Sequence, residues 1–437
     1  MRYFATLILP IFIFLLMPFV SVPAQDIKYE RDRHHSMLVN IRDDVKKNYY
    51  DPNLKGIDIE AKFRTSDEKL KQAASIGQMS GIIAQFLLDF DDSHLFFLPP
   101  EKANRSDYGF DMRMIGDKCL VYSINPKSDA AAKGLAVGDE ITSIEGFGPN
   151  RDIFWKLQYF INTLRPRPTL KLSGKKPDGR QFAIEPITQI TQGKLVLNAT
   201  GTDLNQILRE NEDAYFRAVK QYYYDRQSGL FIWKMPSFSL DPSRVDGIVD
   251  KSRRLSMILD LRGNSGGRVD MLLRLLGNFF QTDVKVGDET TRKEKKEVIA
   301  KSRKKDAFEG KLVVLIDSQS ASASEVFAKV IQLEKRGSVI GDASAGAVMM
   351  SRYFGHRAGM DVVAFYGASI TVADLIMKDG RSIEKFGVVP DELLIPSAAD
   401  LAAKRDPVLA RAIELLGFKM TAEDAGKLFP NEYEGRR

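Results

Sequence analysis

Four short apolar runs, "GLFIWKMPSF", "SMILDLRG", "KLVVLIDS" and "SVIGDAS", separated by helix-patterned segments, restrict the fold of this chain more than any other feature. Runs apolar at nearly every position describe strands covered on both faces, and such strands alternating with helices build a parallel α/β sheet. In sheets of that kind ligands bind at the carboxyl edge, where each strand hands over to a helix. Two handovers here carry chemistry. "ILDLRGNSGGRVDM" ends a strand in a glycine-rich turn, and "DSQSASASEVFAKV" sets three serines alternately with alanines before a helical pattern.

A helix that begins near Ser322 aims its first N–H groups and positive dipole end at any developing oxyanion, and the small alanines let a substrate backbone approach. Ser320, Ser322 and Ser324 are all candidates on residue type alone. Serine is also a common N-cap, and Ser324 and Glu325 fit the capping and charging of a first turn. Gly266 and Gly267 allow a backbone turned toward a neighbour or ligand. That turn has neither the lysine-threonine ending of a phosphate-binding loop nor the spacing of a dinucleotide fingerprint, which leaves a phosphate or nucleotide binder as the weakest function class.

The 437 residues are 44% hydrophobic, enough for several cores. "MRYFATLILPIFIFLLMPFVSVPA" pairs Arg2 with an apolar run broken by Pro10, Pro18 and Pro23 and reads as a secretory signal, residues 1–24, cleaved after Ala24. The expected location is therefore exported, periplasmic or extracellular. Without that segment the chain has 63 basic and 58 acidic side chains, a net of +5. The densest basic stretch, "TTRKEKKEVIAKSRKKD", is interleaved with Glu and lacks aromatic residues, so it predicts a solvated hairpin and no nucleic-acid partner. Cys119 stands alone, which excludes a disulfide framework and a cysteine-based zinc cluster.

Residues 25–104 carry the three-and-four apolar rhythm of helices and end at "DDSHLFFLPP". Residues 105–190 change to short strands interrupted by one helix, "RDIFWKLQYFINTL". A long helix is expected over Asp203–Tyr224, within an α/β core spanning 191–398. The helical tail 399–437 opens a helix with Asp406 as N-cap, Pro407 in the first turn and Gly417 closing it.

The second region resembles a PDZ domain. "YGFDMRM" stands where that family's carboxylate-binding loop lies, and "SINPKSDAAAKGLAVGDEITSIEG" is similar to its turn, short helix and strand. The resemblance implies that Gly109 and Phe110 receive a peptide carboxylate while the peptide adds to the sheet edge. The chain as a whole resembles the S41 peptidases, the C-terminal processing or tail-specific proteases and their tricorn-like relatives, through the core signatures "LDLRGNSGG" and "SASASEVFA" in that order, with "DDSHLFFLPP" before them and "IEKFGVVPDELL" closing. This implies a peptidase core of ClpP/crotonase-like strands and helices, an N-terminal helical region and an inserted PDZ-like β domain.

Carried over by position, the family nucleophile falls on Ser322, and the oxyanion hole on the backbone N–H of Ala323 with that of Gly267 or, as second choice, Gly266. Processing proteases place a lysine in the segment that reads "GDASAGAVMM" here, but Ala347 stands in its place and no lysine lies between Lys335 and Lys378. Tricorn-like members use a histidine instead. The resemblance assigns that role to His94, assisted by Ser93 and oriented by Glu384, with Asp391 the weaker acid. An imidazole with a pKa of about 6.5 needs no special burial to act as a base. His356 is nearer Ser322 in sequence but carries no family signature, and His34 and His35 read as solvated. The implied function is a serine endopeptidase that needs no metal or cofactor and takes polypeptide substrates, recruited through their free C-termini. The alternative is a catalytically inactive polypeptide-binding or adaptor protein on the same fold, for which Ala347 is the argument.

Overall fold

The computed structural model describes residues 24–100, 104–192, 221–225, 227–358, 364–431 and 433. The signal-like segment before Ala24 and the greater part of the helix expected over Asp203–Tyr224 lie outside these residues. Helices α1 (Ala24–Asn48), α2 (Ile59–Gln72) and α3 (Ile76–Leu88) open the described chain. Asp58 caps α2 by accepting from the Glu60 and Ala61 N–H groups, and Ser75 caps α3 through Gln78. Strand β1 (Phe96–Leu98) follows, so "FFL" is a strand and the helical reading stops short of it.

The insertion is tied at its neck by β2 (Asn104–Asp107), which pairs with a strand at its far end. It continues through β3 (Phe110–Ile115), β4 (Lys118–Ile124), α4 (Asp129–Ala132), β5 (Glu140–Ile144), α5 (Phe154–Tyr159), β6 (Leu172–Lys175), β7 (Gln181–Ile184) and the closing neck strand β8 (Gln189–Gln192). Strands β3 to β7 form one antiparallel sheet in chain order around a core of its own that includes Phe110, Val121, Ile141 and Leu172.

After the insertion come β9 (Tyr222–Asp225), β10 (Leu230–Lys234), α6 (Pro242–Ser252), β11 (Ser256–Asp260), α7 (Val269–Phe279), β12 (Val284–Thr291) and β13 (Lys295–Ala300). Tyr222–Tyr224 is therefore strand, not the end of a helix. The alternate tyrosines of β9 stack and edge against Phe231 of its antiparallel neighbour β10, a pairing that a helical reading of "QYYY" misses. The remaining elements are β14 (Leu312–Ile316), α8 (Ala323–Leu333), β15 (Ser338–Gly341), β16 (Met350–Ala358), β17 (Ala364–Met377), β18 (Glu392–Leu393), α9 (Ala398–Ala402), α10 (Pro407–Leu415) and α11 (Ala422–Leu428).

The four predicted runs pair as expected. The sheet runs β18-β15-β14-β11-β10-β9, parallel except for β9. Alternate residues of its strands face two different cores. Phe231, Trp233, Met257, Leu259 and Val314 pack under α6, α7 and α8, whereas Ile232, Ile258, Val313 and Leu315 pack under α10 and α11. A second, antiparallel sheet, β1-β17-β12-β13 with β16 on β17, has no counterpart among the sequence expectations beyond the basic β12–β13 hairpin. Its Tyr366, Ala368 and Ile370 share a core with α1 and α3, so the helical region is built onto this sheet rather than standing apart.

Candidate functional site

The two handovers of the parallel sheet meet. A Cβ added to Gly266 would lie 2.7 Å from Ser322 Cβ and 3.0 Å from the Ala323 nitrogen, which is how closely the glycine turn abuts the start of α8. Asn264 ties them together. Its backbone carbonyl accepts from Ala321 N–H and Ser324 Oγ, while its side chain holds Met235 O and Gly266 N–H.

Only one of the three serines is not buried. Ser320 Oγ donates to Leu261 O at 2.8 Å and Ser324 Oγ to Asn264 O at 2.8 Å, so both are structural pins. The expectation that Ser324 caps the helix is thereby corrected. Ser322 is the N-cap, in a backbone conformation (φ 55°, ψ −118°) that side chains rarely adopt and that costs about 1–3 kcal/mol. The strain is held by two acceptors on its N–H, Ala347 O at 2.7 Å and Glu325 Oε2 at 3.0 Å.

Glu325 departs furthest from its sequence reading. Rather than charging an exposed first turn, it is fully buried and accepts from Ser344 Oγ, Gly346 N–H and Ala347 N–H as well as from Ser322. Burial pushes its carboxyl up to about 7 against those four donors. Ala347, standing where a lysine was expected, serves through its backbone: its N–H seats Glu325 and its carbonyl seats Ser322.

The next residue leads to the histidine. Val348 N–H donates to Glu384 Oε2 at 2.9 Å, and the same oxygen accepts from Ser93 Oγ at 3.0 Å. Ser93 Oγ lies 2.8 Å from His94 Nδ1. Because the hydroxyl proton goes to the carboxylate, Oγ accepts from Nδ1–H, and His94 Nε2 is left with its lone pair. Glu384 thus reaches the imidazole through Ser93, not directly as the sequence reading had it. Burial lowers the His94 pKa, and the nearby Glu384 and Asp92 carboxylates oppose that shift.

The segment carrying His94 is fixed by residues that sequence reasoning passed over. Buried Asp92 accepts from His94 N–H, Thr371 Oγ1 and Tyr49 OH, and Lys385 pairs with Asp91. The paired acids of "DDSH" were the available signal. Asp391 accepts from Gln332 Nε2 and Val339 N–H and belongs to the turn after Pro390. His356 pairs with Asp44 at 2.6 Å and stacks on Tyr366, which joins β16 to α1. His34 is buried against Glu30 O, contrary to its solvated reading, whereas His35 is half exposed.

Among the backbone donors, Gly267 N–H and Ala323 N–H have no acceptor among the described residues. Gly266 N–H is taken by Asn264 Oδ1, which removes it from the oxyanion candidates. The same test bears on Gly109 in the insertion. Gly109 N–H donates to Asp107 Oδ1 at 2.8 Å, buried Phe110 is paired with Ile124, and the β3 carbonyls of Met112 and Met114 accept from Gln158 and Ser318. Gly109 N–H is therefore not open to an anion, whereas Phe110 N–H is outside the ladder with Ile124. Among the described residues no group of His, Cys, Asp and Glu is arranged to hold a metal.

Residues 233–394 match the model "Peptidase family S41". That segment is similar to the family and holds both the glycine turn and Ser322. The tail-specific protease of Haemophilus influenzae is 25% identical over 320 residues, covering 69% of this chain and 43% of that protein. The carboxy-terminal processing protease CtpA of Bacillus subtilis is 25% identical over 237 residues, 52% of this chain and 49% of its own length. The chain thus spans about half the length of the curated relatives it matches. Among solved structures, mature CPAF superposes with a TM-score of 0.63 at 13% identity, covering 86% of this chain and 94% of that one, a likeness of fold.

Proposed function

We propose that this chain is an S41-type serine endopeptidase in which Ser322 attacks a peptide carbonyl and His94 takes and returns the proton. The observation that carries the reading is the strained Ser322 beside two N–H groups without acceptors, joined through Ala347, Val348 and Glu384 to a histidine whose tautomer is set for a base. In the first step Ser322 Oγ bonds to the carbonyl carbon while its proton passes to His94 Nε2. The oxyanion is received by Gly267 and Ala323 N–H, and the imidazolium is stabilised through Nδ1–H, Ser93 Oγ and Glu384. His94 then protonates the leaving amine, and water repeats the sequence on the acyl-enzyme.

Ala347 does not argue for an inactive chain, since its carbonyl holds Ser322 directly and its N–H does so through Glu325. Polypeptides are the substrate class, and export through residues 1–24 is part of the proposal. The insertion is part of the proposal as a docking element, since its Gly109 N–H is held by Asp107 and β3 accepts from Ser318 of the core. A fluorophosphonate probe tests the reading. The wild type should be labelled on Ser322 and the Ser322→Ala variant not at all, while an adaptor would show no labelling in either.

A further inference from the structure

The carboxyl edge of the parallel sheet is used on both faces. Ser322 and α8 lie on one, while Lys234 at the end of β10 and Asp260 at the end of β11 continue the even-numbered positions that point to the other. There the strand ends, the insertion's β3 and β4 and the C-terminal helices enclose a cavity of about 170 Å³. Its polar lining includes Lys234, Arg113, Tyr122 and Arg262, and its apolar lining includes Leu394 and Phe429.

The charges around it are unevenly satisfied. Arg262 takes both Asp260 and Asp406, and Arg113 takes Asp317 while lying 3.7 Å over the Tyr122 ring. Those three carboxylates are committed. Lys234 has no carboxylate within salt-bridge reach among the described residues, and the ring of Phe429, 5.9 Å away, is its closest recorded side-chain contact. Burial accordingly pulls its pKa down, with the Asp260 carboxylate the largest opposing influence. An ammonium brings three donors and no acceptor, so Lys234 faces this cavity with donors unused.

We infer that this cavity is a binding site for a small aliphatic carboxylate, its acid group on Lys234 and its apolar body against Leu394 and Phe429. A cavity of this size and mixed lining suits a compact ligand with one charged end. Arg113 and Asp317 connect it to the other face. Asp317 pairs with Arg113 through Oδ2, while its Oδ1 accepts from the N–H groups of Gly263, Gln319 and Ser320, the two loops that carry the glycine turn and Ser322. An occupied cavity would therefore bear on both loops, whose residues Arg262 and Asp317 are part of its lining.

The inference does not depend on the proposed peptidase activity, and its test reads binding. Hexanoate, hexylammonium and inorganic phosphate are titrated into the full chain by calorimetry, with thermal unfolding alongside. Hexanoate should bind saturably at one site and raise the unfolding midpoint, while hexylammonium and phosphate should not. Lys234→Met should weaken hexanoate about tenfold or more, the scale of one charge-assisted contact, while the exposed Lys301→Met changes nothing. Lys234→Gln replaces the methionine variant if that one does not fold. A leucine-terminated tripeptide acid separates sources: tighter binding than hexanoate points to a peptide C-terminus, weaker binding to a free acid, and both support a carboxylate site. Equal binding of hexylammonium, unchanged affinity in both Lys234 variants, or no saturable binding of hexanoate would overturn it.

Discussion

Two glycine turns look alike in sequence and differ in what they leave open. Gly267 sits at φ 146° and Gly109 at φ 79°, each crowded so that a Cβ would collide, with Phe238 backbone in one case and Ser128 in the other. Yet Gly267 N–H has no acceptor among the described residues, whereas Gly109 N–H is held by Asp107. A positive φ makes glycine necessary. It does not say whether the donor is free, and only a free donor can receive an anion.

The largest effect expected from breaking this contrast is at Gly267. Gly267→Ala keeps the N–H, but its Cβ collides with the Phe238 backbone and displaces that donor, so kcat should fall by about 10²–10³-fold, the usual cost of losing an oxyanion donor, with a lowered thermal midpoint alongside. Gly109→Ala should unfold or loosen the insertion, seen as a lowered thermal midpoint, while a small ester substrate that needs no docking is still turned over. A kcat unaffected in Gly267→Ala would remove Gly267 from the chemistry.

The carboxylates under the two turns give the next contrast. Glu325→Gln sets an amide against N–H donors in a buried site and should destabilise the chain by about 1–3 kcal/mol for each N–H left unpaired. Asp107→Asn, at the partly exposed end of β2, should cost less than about 1 kcal/mol. Urea unfolding measures both, and equal losses would show that burial of Glu325 is not what supports Ser322.

The smallest effect concerns the insertion alone. A peptide with a free C-terminus and its amide should bind within about twofold of each other, because no charge-assisted bond to Gly109 is available. A preference of tenfold or more for the acid would restore the carboxylate reading of Gly109 and Phe110.

What the sequence disclosed follows from the range of the forces involved. The buried parallel strands and the α10 cap at Asp406 and Pro407 are local patterns, and they were legible. The strand β9 was not, because a run of tyrosines becomes a strand only when Phe231 lies beside it. The long β16–β17 pair was hidden for a similar reason. Its exposed positions include Tyr353 and Phe365, so no clean alternation marks it. At the site, Ser322, His94 and Glu384 came from motif resemblance, whereas the roles of Glu325, Asp92 and Thr371 depend on partners tens to hundreds of residues away. Ser93 was named as a helper, and its place between His94 and Glu384 needed coordinates.

The central claim is that His94, held through Ser93 by Glu384, is the base for Ser322, and the pH dependence of kcat/KM in wild type and Glu384→Gln tests it most directly. Burial disfavours the imidazolium, so the acidic limb should have its midpoint below the ordinary imidazole value of about 6.5. Glu384 opposes that shift, so the glutamine variant should be slower with its limb moved to still lower pH. A limb at about 7 that ignores the Glu384 substitution would belong to Glu325, and an activity still rising at about pH 10 would belong to a lysine. Either result would contradict the assignment of His94.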